Sequence, residues 1–380
     1  MAQLESDFFS QPKTGFIFHN YRVRALCLFF ALAINISAMS QTHFRLYIEN
    51  DFFAFKSPGD KYYTNGIKFE WISPRYKVGF LEKIFPGVKE PSSTNYAVAL
   101  GQNMYTASDI TNAEMMPHDR PYAAWLYVGF RKFSNSISTS TRITSELSVG
   151  MIGPAALGEP VQKTFHEIIG SAEPMGWDHQ IRNNPGVNYS IEIENQLYNS
   201  ESQHMDMIWF TNVDVGTVFD NFGVGTMVRI SPFRVLSSYF ESTFSKQTTI
   251  RKRREGIEGD DAELQMHKEE VFEGREKKKL SMYFFVKPSV RFIAYNALLQ
   301  GGIFNGRDNP RSVSPNELER MYLNFDIGVV FPIGYRFDVV FGQSFRTAEF
   351  RDAPVHYWGF LNLIYNGKNF YVKRLSDDRK

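Results

Sequence analysis

Cysteine is nearly absent from this sequence. The 380 residues include a single cysteine, Cys27, which lies in an apolar stretch near the N-terminus. A disulfide framework needs at least two cysteines and is therefore excluded. If the N-terminal stretch is removed on export, the remaining chain also lacks a thiolate for a metal site or a nucleophile.

An excess of charge of one sign and long apolar runs are also lacking. Lysine and arginine total 42, against 41 aspartate and glutamate residues, which gives a formal net charge of +1. This balance offers no bulk attraction to nucleic acid, so no nucleic-acid partner is expected. After residue 40, no apolar run reaches the roughly 20 residues that a membrane-spanning helix needs. The sequence therefore predicts no helical membrane span there.

The N-terminus has the pattern of a secretory signal peptide. Arg22 and Arg24 precede the apolar stretch "ALCLFFALAINISAMSQ", in which Ala38 and Ser40 occupy the small-residue positions before a cleavage site. The alternative is a transmembrane anchor, but the apolar run is short for one. We predict that residues 1–40 are an N-terminal extension and signal peptide, with cleavage before Gln41.

Segments of alternating apolar and polar residues fill the rest of the chain. Examples are "WLYVGFRKF" (125–133), "VNYSIEIENQLY" (187–198) and "YRFDVVFGQSFRTAEF" (335–350). This period is typical of strands. A soluble sandwich would turn the apolar face inward, whereas a membrane barrel would turn it outward, and periodicity does not separate the two.

The composition of an exported chain favours the barrel. Aromatic residues make up 16% of the chain, and a membrane barrel needs aromatic girdles as well as an apolar outer wall. At about 10 residues per strand plus connections, the chain after residue 40 suits about 12 strands. The predicted fold class is therefore all-β: residues 41–380 form an antiparallel transmembrane β-barrel in the bacterial outer membrane. The family resemblance given below adds a short helix packed near the outer rim.

Two segments interrupt the alternation. In residues 158–170, Val161, Phe165 and Ile168 follow helical spacing, and Gln162 and His166 project together from an adjacent face. The charge-dense run "RKRREGIEGDDAELQMHKEEVFEGREKKKL" (251–280) is predicted to be a solvated outer loop. A contact with lipopolysaccharide or a partner protein is the alternative for that loop.

The hairpin "FRLYIENDFFAFKSPGDKYYTNGIKFEWIS" (44–73) carries unusual polar residues where its two strands meet the connecting loop. Asn50 and Asp51 end the first strand, and Thr64 and Asn65 lie near the start of the second. Asn-Asp pairs are ordinary turn formers, and "TNG" is a common hairpin turn. Taken alone, His166 is more simply an exposed helix histidine. The residues themselves leave these interpretations open.

Five blocks of the sequence resemble one protein family. They are "ENDFF", "YYTNG", "HDRPYAAWLYVG", "GPAALGEPVQKTFHEIIGSAEPMGWDHQIRN" and "FGQSFRTAEFRDAPVHYWGFLNLIYN", which occur in this order over about residues 43–366. They resemble the outer-membrane lipid A 3'-O-deacylase family. This resemblance implies a 12-stranded barrel with a site between the barrel wall and a short helix near the outer leaflet. It also implies calcium-dependent removal of the ester-linked 3'-acyloxyacyl group of lipid A by a His-activated water, with the metal at the oxyanion.

The resemblance assigns roles to residues of this chain. His166 becomes the general base, and Asn50, Asp51, Thr64 and Gln162 match the other catalytic positions by their place in the motifs. Ester hydrolysis needs such a base, charge stabilisation at the oxyanion and, for calcium (Ca2+), oxygen ligands.

One position departs from the family. Its acidic residue, six positions after the histidine, is Ala172 here, and the next residue is Glu173. A one-residue shift would let Glu173 take the acidic role. The expected metal ligands are therefore Asp51, Thr64 and Glu173.

Other interpretations accompany this one. Asp119-Arg120 is predicted to form a luminal salt bridge, and Trp177-Asp178 is either a membrane-interface anchor or a part of the site. The other functional classes are a passive barrel, as a pore or a structural protein, and an outer-membrane phospholipase. The expected partners are lipid A or lipopolysaccharide and the outer membrane, and the chain is expected to be a monomer.

Overall fold

Twelve antiparallel strands form a closed barrel in a computed structural model of the chain. The structure describes residues 42–55, 61–74, 76–77, 79–232, 236, 282–304, 309–333 and 337–366. The strands are β1 His43–Asn50, β2 Tyr62–Ser73, β3 Ser93–Thr106, β4 Ala123–Ser136, β5 Thr141–Ile152, β6 Asn184–Asn199, β7 Met205–Gly216, β8 Phe219–Ile230, β9 Tyr283–Asn296, β10 Met321–Ile333, β11 Phe337–Arg346 and β12 His356–Asn366. Each strand pairs with its sequence neighbours, and β1 pairs with β12, which closes the barrel. The predicted fold class and strand number are confirmed.

The two faces of the wall differ in polarity. Lys68 on β2 contacts Glu146 on β5 at 2.8 Å, although two strands separate them along the wall, so both side chains point into the lumen. We call this side the inward face. Their strand neighbours point the other way, and many are exposed apolar residues, such as Ile67, Val128 and Phe222. The apolar face is therefore outward, as a membrane barrel requires and a soluble sandwich does not.

Aromatic side chains cluster on the outward face. Phe44 stacks with Trp71 and Tyr365, at centroid distances of 6.0 and 6.1 Å, and Tyr365 in turn packs against Phe337. Such a cluster is expected where a barrel meets the membrane interface. Among the described residues, no helix is long and apolar enough to cross a membrane.

Two α-helices of the described residues lie at one end of the barrel, which we call the site end. Helix α1 (Gly158–Ile169) lies between β5 and β6, and the single turn α2 (Ala297–Gln300) follows β9. The predicted helix at 158–170 is confirmed. β8 ends and β9 begins at the opposite end of the barrel, so the connection that includes 251–280 leaves and returns there. Residues 251–280, predicted to be a solvated outer loop, lie outside the described residues, and that role stays a prediction.

Side chains fill the lumen at the site end. One cluster of buried residues draws from β2, β3, β4, β5 and β12, and from the segments that connect strands at this end. Its members are Tyr63, Tyr105, Ala123, Trp125, Ile152, Ile181, Val218, Ala297, Leu298 and Trp358. Because residues from all round the barrel touch one another here, the described part of the lumen does not resemble an open channel.

The predicted signal peptide precedes the part of the chain that the structure describes. Residues 1–40 lie outside the described residues, as do residues 367–380 at the C-terminus. The barrel itself spans His43–Asn366, within the predicted 41–380 domain. Cleavage before Gln41 stays a prediction.

Glu70 gives a test of the luminal ion network. Its fully buried carboxylate pairs with Arg131 and lies 3.5 Å from Lys68. Breaking a buried ion pair by removing one partner typically costs about 3–5 kcal/mol. We therefore expect Glu70→Gln to lower the temperature at which the barrel loses its folded, heat-modifiable form on gels. The exposed Glu90 supplies the control, since Glu90→Gln should leave that temperature unchanged. Equal temperatures for both variants would contradict the network's role.

Candidate active site

A β-bulge sets the direction of the side chains in the hairpin β1–β2. Tyr63 pairs with Tyr105 and points inward, whereas Asn65 pairs with Met104 and points outward, so Thr64 is the extra residue between them. The hydroxyl of Thr64 lies 2.8 Å from that of Thr106, on the outward side of β3. A bulge re-aims side chains in this way beside functional sites. "TNG" therefore belongs to a bulged strand, not to a turn.

The hairpin gathers three of the residues that the sequence predicted. Asn50 is the Cα partner of Asn65, and its side chain accepts a hydrogen bond of 2.8 Å from the Phe52 backbone N–H. The fully buried Asp51 accepts one of 2.9 Å at Oδ2 from the Lys61 backbone N–H. These bonds fix the carboxylate of Asp51 beside the start of β2, close to Thr64.

Helix α1 lies against the outward face of β3 and β4. A Cβ added at Gly158 would lie 2.6 Å from the Cβ of Ala124, an outward residue of β4. It would also lie 2.5 Å from the Trp177 ring, so only glycine allows this approach. The helix ends at Gly170, whose φ of 70° favours glycine, and the Ser171 N–H donates to the His166 carbonyl at 2.9 Å.

The polarity of helix α1 is the reverse of that of an ordinary surface helix. Gly158, Gln162 and His166 form its buried face, whereas Phe165 and Ile168 are 40% and 64% exposed. A helix on a soluble protein buries its apolar stripe and exposes its polar face. Here Gln162 and His166 are turned to the barrel wall, while Phe165, Ile168 and Ile169 are exposed beside the exposed Thr164 and Glu167. This arrangement suits a helix at a membrane surface, with its exposed apolar side chains in contact with hydrocarbon.

Contacts on the buried face hold both polar side chains in place. The Trp177 Nε1–H donates to Gln162 Oε1 at 2.8 Å, and both side chains are buried. His166 Nδ1 contacts the backbone carbonyl oxygen of Ala172. A carbonyl only accepts, so Nδ1 carries the hydrogen in this contact, and in a neutral imidazole the lone pair is then on Nε2. Ala172 therefore contributes its carbonyl at the position where the family has an acid.

Glu173 lies away from this buried face. Its side chain is 73% exposed, and its carboxylate is 3.7 Å from Lys163 Nζ. Lys163 also pairs with Glu159 at 2.9 Å, one turn earlier in the helix. The contact with Lys163 would have to open before Glu173 could bind a cation at the hairpin. Its predicted role as a metal ligand stays a prediction.

The hairpin group and the helix group share one side of the wall. Asn65, Met104 and Ala124 are successive Cα partners across β2, β3 and β4, so they form one outward row. The hairpin residues lie at one end of this row, and helix α1 covers the other end at Ala124. The structure thus places Asn50, Asp51 and Thr64 next to the strands that carry the helix with Gln162 and His166.

A family model for the outer membrane protein LpxR matches residues 24–366. The chain belongs to the LpxR family. The resemblance to the outer-membrane lipid A 3'-O-deacylases is therefore confirmed, and with it the outer membrane as the location of the barrel. No curated protein sequence matches the chain.

Two solved structures align with most of the chain. LpxR from Salmonella typhimurium aligns with a TM-score of 0.59 at 16% identity, over 85% of this chain and 99% of that one. The β-domain of the Bordetella autotransporter Brka aligns with a TM-score of 0.40 at 8% identity, over 87% of this chain and 99% of that one. At such identity the first likeness shows the barrel fold alone.

Two side predictions for this LpxR-family barrel are resolved. Arg120 forms its salt bridge with Glu349, whereas Asp119 accepts from the Ser108 backbone N–H at 2.8 Å, so the expected Asp119–Arg120 pairing was wrong. Trp177 is buried beside Gln162 and does not face the membrane. It shapes the site and is not an interface anchor.

Asn65 is a site residue that the sequence interpretation missed. Its side chain is 8% exposed, and Oδ1 has no hydrogen-bond partner among the described residues. An unsatisfied buried polar group typically costs about 1–3 kcal/mol, so folds retain one where it has a use. The "YYTNG" motif contained this signal, but Asn65 was treated only as part of a possible turn.

The oxygen donors of the hairpin fit calcium. Calcium takes 6–8 oxygen ligands, among them carboxylate, amide and backbone carbonyl groups and water. Asp51 offers a carboxylate, Thr64 a hydroxyl and Asn65 the unpartnered amide oxygen. Within the described part of the chain, no three His, Cys, Asp or Glu side chains form a group that could hold a metal. A cation here would therefore depend on neutral oxygens besides Asp51.

Gly158 tests the seating of the helix. Gly158→Val adds a side chain where Trp177 and Ala124 already stand, so we expect it to push helix α1 off the wall. Esterase activity should fall at least tenfold, while the barrel keeps its heat-modifiable gel migration, because the helix lies outside the strand ladder. Gly79→Val is the matched control, since a Cβ there meets nothing within 4 Å. An active Gly158→Val variant would show that the helix need not touch the wall.

Proposed function

We propose that this LpxR-family barrel hydrolyses the ester that joins the 3'-acyloxyacyl group to lipid A in the outer leaflet. The observation that carries the proposal is the reversed polarity of helix α1, which encloses Gln162 and His166 against the outward side of the wall. Polar groups on the lipid-facing side of a barrel are costly. A polar site kept there is suited to a substrate that stays in the membrane.

His166 acts as the general base in this proposal. Its Nε2 takes a proton from water, and the water oxygen attacks the ester carbonyl carbon. The tetrahedral intermediate then expels the 3' oxygen of the sugar, which takes the proton back from the imidazolium. The products are a free acyloxyacyl carboxylic acid and a 3'-hydroxyl. Imidazole suits both steps because it titrates near neutral pH.

Two contacts prepare His166 for this role. The Ala172 carbonyl accepts from Nδ1–H, which leaves Nε2 as the basic nitrogen. Gln162 lies one turn before His166 on the buried face of helix α1. Its hydrogen bond with the indole of Trp177 holds this face of the helix in place. In this chain the backbone carbonyl of Ala172 therefore orients the imidazole of His166, as a carboxylate would.

Asn50, Asp51 and Thr64 form the opposite side of the site. We propose that Asp51, Thr64 and Asn65 hold calcium, which when bound would stabilise negative charge on the ester oxygen. Asn50 caps the turn after β1 through the Phe52 N–H and so fixes the chain at Asp51. Glu173 would join them only after leaving Lys163.

The alternative classes predict different products. The filled lumen at the site end argues against a pore. A phospholipase would use the same ester chemistry on a different lipid, so the substrate decides between the two. The test is expression of the full chain in the outer membrane of a host with intact lipid A acyl chains, followed by mass spectrometry of lipids. We expect lipid A that has lost the mass of its 3'-acyloxyacyl group. Unchanged lipid A, or cleaved phospholipid instead, would contradict the proposal.

His166→Ala should abolish most of this activity. Removing a positioned general base typically lowers the rate by about 10² to 10⁴. Because His166 projects from a helix outside the strand ladder, gel migration of the folded barrel should not change. His179→Ala is the matched control, since His179 also contacts a backbone carbonyl, that of Ala113, at 3.1 Å. Loss of activity in both variants, or in neither, would remove His166 from its role.

The dependence of activity on calcium distinguishes the proposed roles of Asp51 and Glu173. Chelation with EGTA should stop deacylation and added calcium should restore it, because oxygen donors select hard cations. Asp51→Ala should be severe even in excess calcium. If Glu173 acts as a ligand, Glu173→Ala should raise the calcium concentration needed for half-maximal activity. If Glu173→Ala matches the parent, Glu173 is only the partner of Lys163, and full activity in EGTA would remove calcium from the account.

A further inference from the structure

We propose that Phe52 and Phe55 form one wall of a groove on the outside of the barrel that holds an acyl chain of the substrate. This proposal rests on the proposed function and names the part of the site that recognises hydrocarbon. The two side chains are 71% and 82% exposed, although they follow directly after the buried Asp51. We call them the Phe wall.

The segment that carries the Phe wall is anchored on the outward face of β11 and β12. Phe53 lies against Gly359, where an added Cβ would be 2.5 Å from the Cβ of Phe53. Gln343 donates from Nε2 to the Phe53 carbonyl at 2.9 Å and accepts from the Phe55 N–H at 3.0 Å. These contacts hold the segment against β11 and β12 at Phe53 and Phe55, while the rings of Phe52 and Phe55 stay exposed.

Helix α1 lies on the other side of the groove. It packs on β3 and β4 and carries the exposed Phe165 and Ile168, whereas the Phe wall lies above β11 and β12. β1 and β2 run between the two walls. From β12 to β3 there are three strand spacings of about 4.8 Å, which gives a groove about 14 Å wide.

The floor of the groove changes from polar to apolar along its length. Asn50 and Asn65 lie at the site end. Below them the outward residues are apolar, namely Leu46, Ile48, Ile67, Phe69 and Leu100. An ester carbonyl at the polar end would leave its hydrocarbon lying along this apolar floor. Hydrocarbon gains free energy in proportion to the apolar area that it covers.

The groove is continuous with the surface that the barrel presents to the membrane. Leu100 and Ile67 belong both to its floor and to the outward apolar face, so a lipid chain reaches the groove sideways without crossing water. Two hydrogen bonds with Gln343 hold the segment of the Phe wall in this position. The aromatic residues of a general girdle would not need such bonds. An acyl chain therefore fits this surface better than a protein or a sugar does.

The test compares two pairs of exposed aromatic residues. Phe52→Ser with Phe55→Ser removes the Phe wall, whereas Phe222→Ser with Phe292→Ser removes a stacked outward pair on β8 and β9, away from the groove. Each full-length protein is incorporated into vesicles with lipid A species of different 3'-acyl length, and release of the acid is measured by mass spectrometry. Gel migration of the unheated protein checks folding.

The first pair should lower kcat/KM for the preferred lipid A at least tenfold and flatten the dependence on acyl length. The second pair should keep the parent's rate and its length preference. Phe52→Leu with Phe55→Leu, which keeps apolar walls, should retain most activity and guards against misfolding of the serine variant. A parent-like serine variant, or an equal loss in both serine pairs, would overturn the groove. If the parent itself leaves lipid A intact, the proposed function fails and the acyl-chain groove fails with it.

Discussion

The site depends on one constraint, which is that polar side chains on the lipid-facing side of a barrel need cover. Helix α1 provides that cover for Gln162 and His166, which lie with Gly158 on its buried face, while Phe165 and Ile168 are exposed. Asn50 and Asn65 also point outward from the wall, and both are buried. In the proposed function this burial would keep bulk water from the ester and leave the site open to lipid from the side.

Local backbone features serve this arrangement. The bulge at Thr64 turns two adjacent polar residues to the outward side, where regular alternation would send one into the lumen. Gly158 lets the helix approach the wall, and the left-handed Gly170 returns the chain so that the Ala172 carbonyl reaches His166. Each feature interrupts the regular geometry of a strand or helix. Together they place the hairpin and the helix on the same side of the wall.

Alternating polarity predicted strands, and the barrel and its strand number needed the export signal, the aromatic content and the chain length as well. The spacing of Val161, Phe165 and Ile168 was enough to predict the helix. Periodicity did not reveal which side of the wall the helix covers, because that depends on register across three strands. Asn65 was missed because its unpartnered oxygen is a property of packing.

The depth of helix α1 in the bilayer tests the account most directly. In a Cys27→Ser background, Ile168→Cys can carry a nitroxide on the exposed face of the helix, with the barrel reconstituted in lipid vesicles. The account predicts frequent collisions with oxygen, which concentrates in hydrocarbon, and few with a water-soluble nickel complex. The reverse pattern would place the apolar face in water. It would contradict a site that takes its substrate from within the membrane.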